Sequence, residues 1–270
     1  MDLKRKYPDE FRLFNNKIRW KAYLSANGIK VPDTYMFITK PGDFGFLWGC
    51  RRDMPTFVIK PNHLAQGKGV MVLEMRDGHY YEMTGEEFTV DRIQESVTKS
   101  LSTKTEKTSC GVLMEERIYS HAEFMNIFKI DRGLIDIRFY MGWDRMILGM
   151  VRVPTVKSRH YANWAQGGAV FHFNHRGTFY NAQDIQHISS VVHPETGMNV
   201  EGKKIPFWNK LHGTAVKVAG LFKLPYHTVD MTVDRAGNVV VVEGESCPDL
   251  AVFTDKGAWK VIGIIKSGGP

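Results

Sequence analysis

The chain has 270 residues, 43% of them hydrophobic and 24% charged, which suffices for one large or two modest domains with a sizeable core. Lys and Arg outnumber Asp and Glu, 36 to 29, and the resulting formal charge of +7 favours anionic ligands. The charged start, MDLKRKYPDEFR, has no apolar signal core, and no run reaches the length of a membrane span. Cys50, Cys110 and Cys247 are an odd number with no metal spacing, which argues against a disulfide framework and for a reducing, cytoplasmic setting. The sequence has neither a clear basic helix nor an interleaved aromatic platform, which argues against nucleic acid as a partner.

In chain order, residues 10–27 place Phe11, Phe14, Ile18, Tyr23 and Leu24 at helical spacing, with Lys17 inside the helix and Asn27-Gly28 as its stop. An extended run from Thr34 to Ile38 follows. Thr56 to Lys60 reads as a short buried strand, and Val70 to Glu74 as a second one. Between them, Asn62 to Gly69 forms a Gly-containing loop able to close over phosphates with its backbone N–H groups. It is not a Walker loop, because no GxxxxGK[ST] is present. A lysine at the strand end leading into such a loop, here Lys60, suits a strong anion.

Residues 85–100 read as a helix capped by Thr84 or Gly85, with Phe88, Val90, Ile93 and Val97 inward, and Lys99 to Lys107 as an exposed polar loop. Gly111 to Ile118 reads as a strand ending in acids, with Glu123 shortly after. The chain then turns β-rich: Ile135 to Met141, a turn at Gly142 to Arg145, and Met146 to Val153. Asn163 to Gly168 is a loop. Ala169 to Phe173 and Thr178 to Tyr180 suggest a hairpin through Asn174 to Gly177, and residues 206–222 an amphipathic helix.

The most telling stretch is HTVDMTVDRAGNVVVVEGESCPD, residues 227–249. Two β-rich runs flank Asp234 to Asn238, the pattern of a hairpin turn. A two-residue loop at Ala236-Gly237 would set Asp230 opposite Glu243, and strand alternation puts Glu243 and Glu245 on one face. Three carboxylates then gather at one end of the hairpin. Clustered like charges call for a cation, and hard oxygen donors suit Mg²⁺, which takes further ligands from phosphates. The alternative is a solvated acidic strand end.

The order of these motifs resembles the ATP-grasp superfamily, from about Asn16 to Asp249. NKIRWKAYLSANGIKVPDTY is similar to the helix opening the nucleotide-binding part, and the resemblance puts Lys17 on ATP phosphate. TFVIKPNHLAQGKGV resembles the strand and mobile phosphate loop, with Lys60 on the phosphates and Gln66, Gly67, Lys68 and Gly69 in the lid. LMEERI resembles the interdomain linker, implying adenine contacts from Glu115, Glu116 and Ile118, with Glu123 on the ribose. IDIRFYMGWDRMILGMVRVP is similar to the DiR…R segment of glutathione synthetase-like members, implying Arg138 and Arg152, with Lys60, as the catalytic cations at the γ-phosphate and acyl phosphate. Asn163, Gly167 and Gly168 match the N…GG loop and would meet the substrate. Asp230, Glu243 and Glu245 stand in the metal-ligand places; many relatives carry Asn where Glu245 stands. HPETGMNVEGKKIPFWNKL, residues 193–211, narrows the likeness to the sugar-transfer-associated branch, often linked to cell-surface polysaccharide pathways.

The resemblance implies an α+β ATP-grasp fold in which two subdomains clamp ATP. Residues 1–118 would form the first helix and lid subdomain, and 119–270 the larger subdomain with the metal hairpin. It implies an ATP-dependent carboxylate–amine ligase working through an acyl phosphate, with two Mg²⁺ ions for which Mn²⁺ could substitute. Two other functions stay open: a kinase passing phosphate to a hydroxyl, and a nucleotide-dependent scaffold subunit. Relatives usually carry a preceding domain that helps hold the acceptor, and Lys17 leaves no room for it. The expectation is therefore an anionic or macromolecular acceptor (a peptide, a carrier-bound group or a polysaccharide end), or a homodimer or partner subunit completing the cleft. The alternative is that residues 155–205 fold over and close the cleft.

Overall fold

The computed structural model describes residues 3–49, 54–62, 64, 67–103, 111–181, 191–248 and 263. The first half contains α1 (Leu3–Lys6), α2 (Pro8–Phe14), α3 (Lys17–Ala26), β1 (Thr34–Ile38), α4 (Pro41–Gly49), β2 (Thr56–Pro61), β3 (Met71–Arg76), β4 (His79–Glu82), β5 (Glu87–Phe88), α5 (Val90–Ser102), β6 (Val112–Glu115) and α6 (Ala122–Phe128). The second contains β7 (Asp136–Gly142), β8 (Arg145–Val153), β9 (Ala169–Phe173), α7 (Trp208–Ala219), β10 (His227–Val233) and β11 (Val239–Glu245). Among the described residues no helix is long and apolar enough to cross a membrane.

The architecture is α+β, with two antiparallel sheets. The first runs β1-β6-β2-β3-β4-β5 and the second β11-β10-β7-β8-β9. Each has its own core. Phe57, Ile59 and Leu73 of the first sheet pack with Ile93 and Val97 of α5. Beneath the second sheet, Ile137, Phe139, Val151, Phe171, Val229 and Met231 meet Phe124 and Phe128 of α6 and Leu211, Ala215 and Val218 of α7. Phe11, Phe14, Trp20 and Leu24 join this second core. A division at residue 118 separates the two sheets, but α2 and α3 pack on the side of the second.

Strand alternation decides what the second sheet offers to the rest of the molecule. Odd positions of β7 and β10 fill the core, so Asp136, Arg138, Tyr140, Thr228 and Asp230 share the opposite face. Asp230 pairs across to Arg138 on one side and to Glu243 on the other. The expected Asp230–Glu243 pairing therefore forms, though by a different route. Asp234 N–H donates to Asn238 O at 2.9 Å, closing a three-residue loop, with Gly237 at φ +81°. A register shift between Asp230 and Met231 then adds the residue that restores the pairing, with Val242 as the extra one.

Two helix boundaries differ from expectation. The single helix over 10–27 is broken, because the Asn16 side chain accepts from Arg19 N–H at 3.2 Å and caps a new helix. This break makes Lys17 the first residue of α3. The later helix starts at Val90, capped by Thr89 accepting from Arg92 N–H, while Glu87 and Phe88 pair with β4 as a short strand. Its last turn extends to Ser102, into the polar stretch read as loop, of which 104–107 lie outside the described residues.

Candidate functional site

The two sheets enclose a cleft of about 1020 Å³, crossed at its back by the Glu115-Glu116-Arg117-Ile118 linker. One wall carries lysines. Lys60, at the end of β2, reaches Glu115 in the neighbouring strand β6. Glu115 is 1% exposed and is also bound by Lys21 of α3. Lys17 donates to Glu243 Oε1 at 2.7 Å and to Leu64 O at 3.2 Å in the loop after β2. Helical spacing explains the pair: Lys17 and Lys21 are one turn apart on the same face of α3. Burial alone would raise the Glu243 carboxyl, but Lys17 foremost, with Lys60 and Arg138, brings it down to about 2.

The other wall carries arginines on adjacent strands. Arg138 grips Asp230 with Nε at 2.8 Å and Nη2 at 2.6 Å, and its Nη1 reaches Glu245 at 3.0 Å. Arg152 binds Asp136, its cross-strand neighbour, and Asp230 at 2.7 Å. This forked geometry is what guanidinium supplies and ammonium does not. Burial pushes the Asp136 carboxyl up to about 7; Arg152 opposes the rise and the charge of Asp230 adds to it.

Asp230, Glu243 and Glu245 thus share a face, as expected. Among the described residues, however, no group of three such side chains stands ready as a metal cage. Each is held by a cation instead: Asp230 and Glu245 by Arg138, and Glu243 by Lys17. Their donors, all carboxylate oxygens, are of the chemical kind that suits a hard cation such as Mg²⁺.

The structure brings some of the remaining expected residues to the cleft and leaves others beside it. Glu116 and Ile118 line it, and Glu116 is fixed by donating its N–H to Asp33 O at 2.8 Å. Glu123 is exposed on the first turn of α6, beside the lining residues Ala122, Met125 and Asn126. Gly67, Lys68 and Gly69 form a turn, with Gly67 at φ +70° and Gly69 at φ +72°; Gln66 lies outside the described residues. This turn sits directly against the Asn163–Gly168 loop. A Cβ on Gly67 would stand 3.0 Å from Asn163 Nδ2 and 3.4 Å from Gln166 Nε2. Gly167 and Gly168 are required by the loop itself, since Gly167 sits at φ +99° and a Cβ on Gly168 would stand 2.9 Å from Asn163 O. The cleft lining ends just before them, at Ala162.

Several residues of the site escaped the sequence reading. Lys21 is one, although its spacing from Lys17 was a usable signal. Asp136 is another, lying inside the DIR motif. A third group ties the two sheets together: the Tyr161 hydroxyl donates to Glu82 Oε1 of β4 at 2.9 Å, and Arg159 binds the same carboxylate. Nothing local in the sequence signals that contact, which spans 79 positions.

The sequence matches the family model described as sugar-transfer-associated ATP-grasp over residues 2–260. A search of curated proteins finds no match. Similar solved structures include D-cycloserine synthetase DcsG, at 13% identity and a TM-score of 0.52, covering 95% of this chain and 71% of that one. The D-alanine–D-alanine ligase from Bacillus anthracis complexed with ATP is similar at 16% identity and a TM-score of 0.52, over 94% and 67% of the two chains. A RiPP-associated ATP-grasp ligase of Chryseobacterium gregarium, in complex with ADP and a leader and core peptide, is similar at 12% identity and a TM-score of 0.51, over 96% and 62%. These likenesses establish the fold, and the family model, spanning nearly the whole sequence, establishes the rest: the chain belongs to the sugar-transfer-associated ATP-grasp family.

Proposed function

We propose that the protein is an ATP-dependent ligase that joins a carboxylate to an amine through an acyl phosphate. One observation carries the reading: two charge clusters that border the cleft, one through Lys60, Glu115 and Glu243 and the other through Asp136, Arg152 and Asp230, are unbalanced in opposite senses. Three ammoniums (Lys17, Lys21 and Lys60) face two carboxylates (Glu115 and Glu243), while two guanidiniums (Arg138 and Arg152) face three (Asp136, Asp230 and Glu245). A polyphosphate satisfies the first wall and a divalent cation the second. ATP with magnesium brings both.

In this reading Lys17 and Lys60 hold the phosphates, and the Gly67–Gly69 turn, with Gln66 and Lys68, covers them. Adenine lies against Glu115, Glu116 and Ile118, with Glu123 toward the ribose. Asp230, Glu243 and Glu245 would hold Mg²⁺, one ion or two, with Mn²⁺ able to replace it; when bound it neutralises charge on the transferred phosphoryl group. The substrate carboxylate forms a bond to the γ-phosphorus as the bond to the β–γ bridging oxygen breaks, and ADP leaves. The amine then attacks the acyl carbon, loses a proton, and phosphate departs. Arg138 and Arg152 stabilise the charge developing in both steps. Asn163, Gly167 and Gly168 orient the acceptor. A peptide, carrier-bound or polysaccharide-related acceptor suits the basic chain and a cytoplasmic setting, and the presence of a leader and core peptide in the RiPP-associated ligase structure supports this reading.

The test is ADP release with magnesium over a panel of amino acids, uronates and short peptides, with hydroxylamine present. Hydroxamate formation dependent on the carboxylate supports the acyl phosphate. A stable phosphoester formed without any amine would replace ligation by kinase chemistry.

A further inference from the structure

Lys21 is a buried ammonium, 4% exposed, which nothing in the reaction above requires. Taking a lysine out of water is costly unless it is paired, and its partner is Glu115, itself 1% exposed. Glu115 holds a second lysine on its other oxygen, Lys60, whose side chain is 22% exposed and faces the cleft. The three groups come from α3, β6 and β2. They form a row running from the interior to the cleft: ammonium, carboxylate, ammonium.

We propose that Lys21 is a positioning residue for Lys60. It neutralises Glu115 from the interior side, so that the Lys60 ammonium keeps its charge for the cleft instead of spending it on Glu115. The inference rests on the reading above, in which Lys60 meets the phosphates. With Glu115 paired to Lys60 alone, the two form a neutral pair and the cleft wall loses its surplus charge. With Lys21 present the row carries one net positive charge, and the only end open to the cleft is Lys60. Burial pushes the Lys21 ammonium below the ordinary lysine value and Glu115 offsets part of that; burial also pulls on Lys60, but Glu115, Glu243 and Asp136 together hold it above its ordinary value.

The experiment is calorimetric titration of the full chain with ADP plus magnesium, and separately with adenosine, which has no phosphate. Lys21→Met should weaken ADP binding about tenfold, as loss of one unscreened charge near the phosphates implies, and leave adenosine binding unchanged. Lys21→Arg should restore ADP binding. Lys21→Gln, which keeps a neutral hydrogen-bond donor for Glu115 but not the charge, should weaken ADP binding to the same extent and leave adenosine binding unchanged. If Lys21→Met does not fold, Lys21→Gln, which still offers Glu115 a donor, carries the test. Equal losses for ADP and adenosine, or native ADP affinity in a folded Lys21→Gln, would reduce Lys21 to a packing role and overturn the proposal. Lys60→Met separates the two readings. Native ADP affinity in Lys60→Met overturns the phosphate role of Lys60 and this inference with it, whereas a loss there with none in Lys21→Met overturns the inference alone.

Discussion

The two walls of the cleft are built on different principles. The arginine wall lies within a single sheet: Arg138, Arg152, Asp136, Asp230 and Glu245 sit on four strands whose registers fix every pairing. The lysine wall is assembled from elements of both cores, with Lys17 and Lys21 on a helix packed beneath the second sheet and Lys60 and Glu115 in the first. Arginine forks locked to carboxylates in register make a rigid surface, whereas ammoniums on flexible stems can exchange one partner for another. The difference teaches where stability and binding should separate. Charges in the arginine wall are tied into the folded core, whereas Lys17, Lys60 and Glu243 of the lysine wall keep partly exposed side chains for a ligand.

The largest effect tests this separation directly. Asp230 is fully buried and serves both Arg138 and Arg152. Asp230→Ala leaves two guanidiniums short of a partner and should destabilise the protein by about 3–5 kcal/mol, read as a lower denaturant midpoint. A change within error of zero would mean the arginine wall is as adaptable as the other. Glu243 is the counterpart, with a side chain 38% exposed to the cleft. Glu243→Gln should leave the melting curve close to native while lowering ADP release by roughly 10²–10³-fold, the scale of losing one electrostatic contact to a transition state. Normal turnover in the folded variant would remove Glu243 from the metal site.

A smaller effect sharpens the view of the second sheet as the rigid half. His227 opens β10 fully buried among Phe14 and Phe222, and burial lowers its pKa from 6.5 to about 4. The unfolded chain therefore takes up this proton at higher pH than the folded one. Its contribution is fully present above about pH 6.5, declines as the pH falls toward 4, and is lost below that, to a total of about 3 kcal/mol. Melting temperature against pH should show this slope, and His227→Leu should flatten it. An unchanged slope in His227→Leu would assign it to other groups.

Local sequence determined a good deal of this protein. Alternation in residues 227–245 put Glu243 and Glu245 on one face, whereas the Asp230–Glu243 pairing, expected from a two-residue turn, is reached through a three-residue loop and a bulge at Val242. The strands at 34–38, 56–61, 136–142 and 145–153 were also legible, and the motif order named the family. Capping was misjudged at Asn16 and Thr89, where a side chain competed with simple periodicity. The helix at Pro41–Gly49, with three glycines, gave no periodic signal at all.

Partnership was decided only by the tertiary structure. Sequence marked Glu115 as a linker acid and Lys17 as a phosphate lysine, but it could not indicate that Glu115 holds Lys21 across 94 positions, or that Lys17 reaches Glu243. Nor could it reveal that Tyr161 and Arg159 would meet Glu82 across the cleft. Side-chain periodicity reports which face of an element is buried. Which charges then meet depends on how two separately packed cores dock, and no local pattern encodes that.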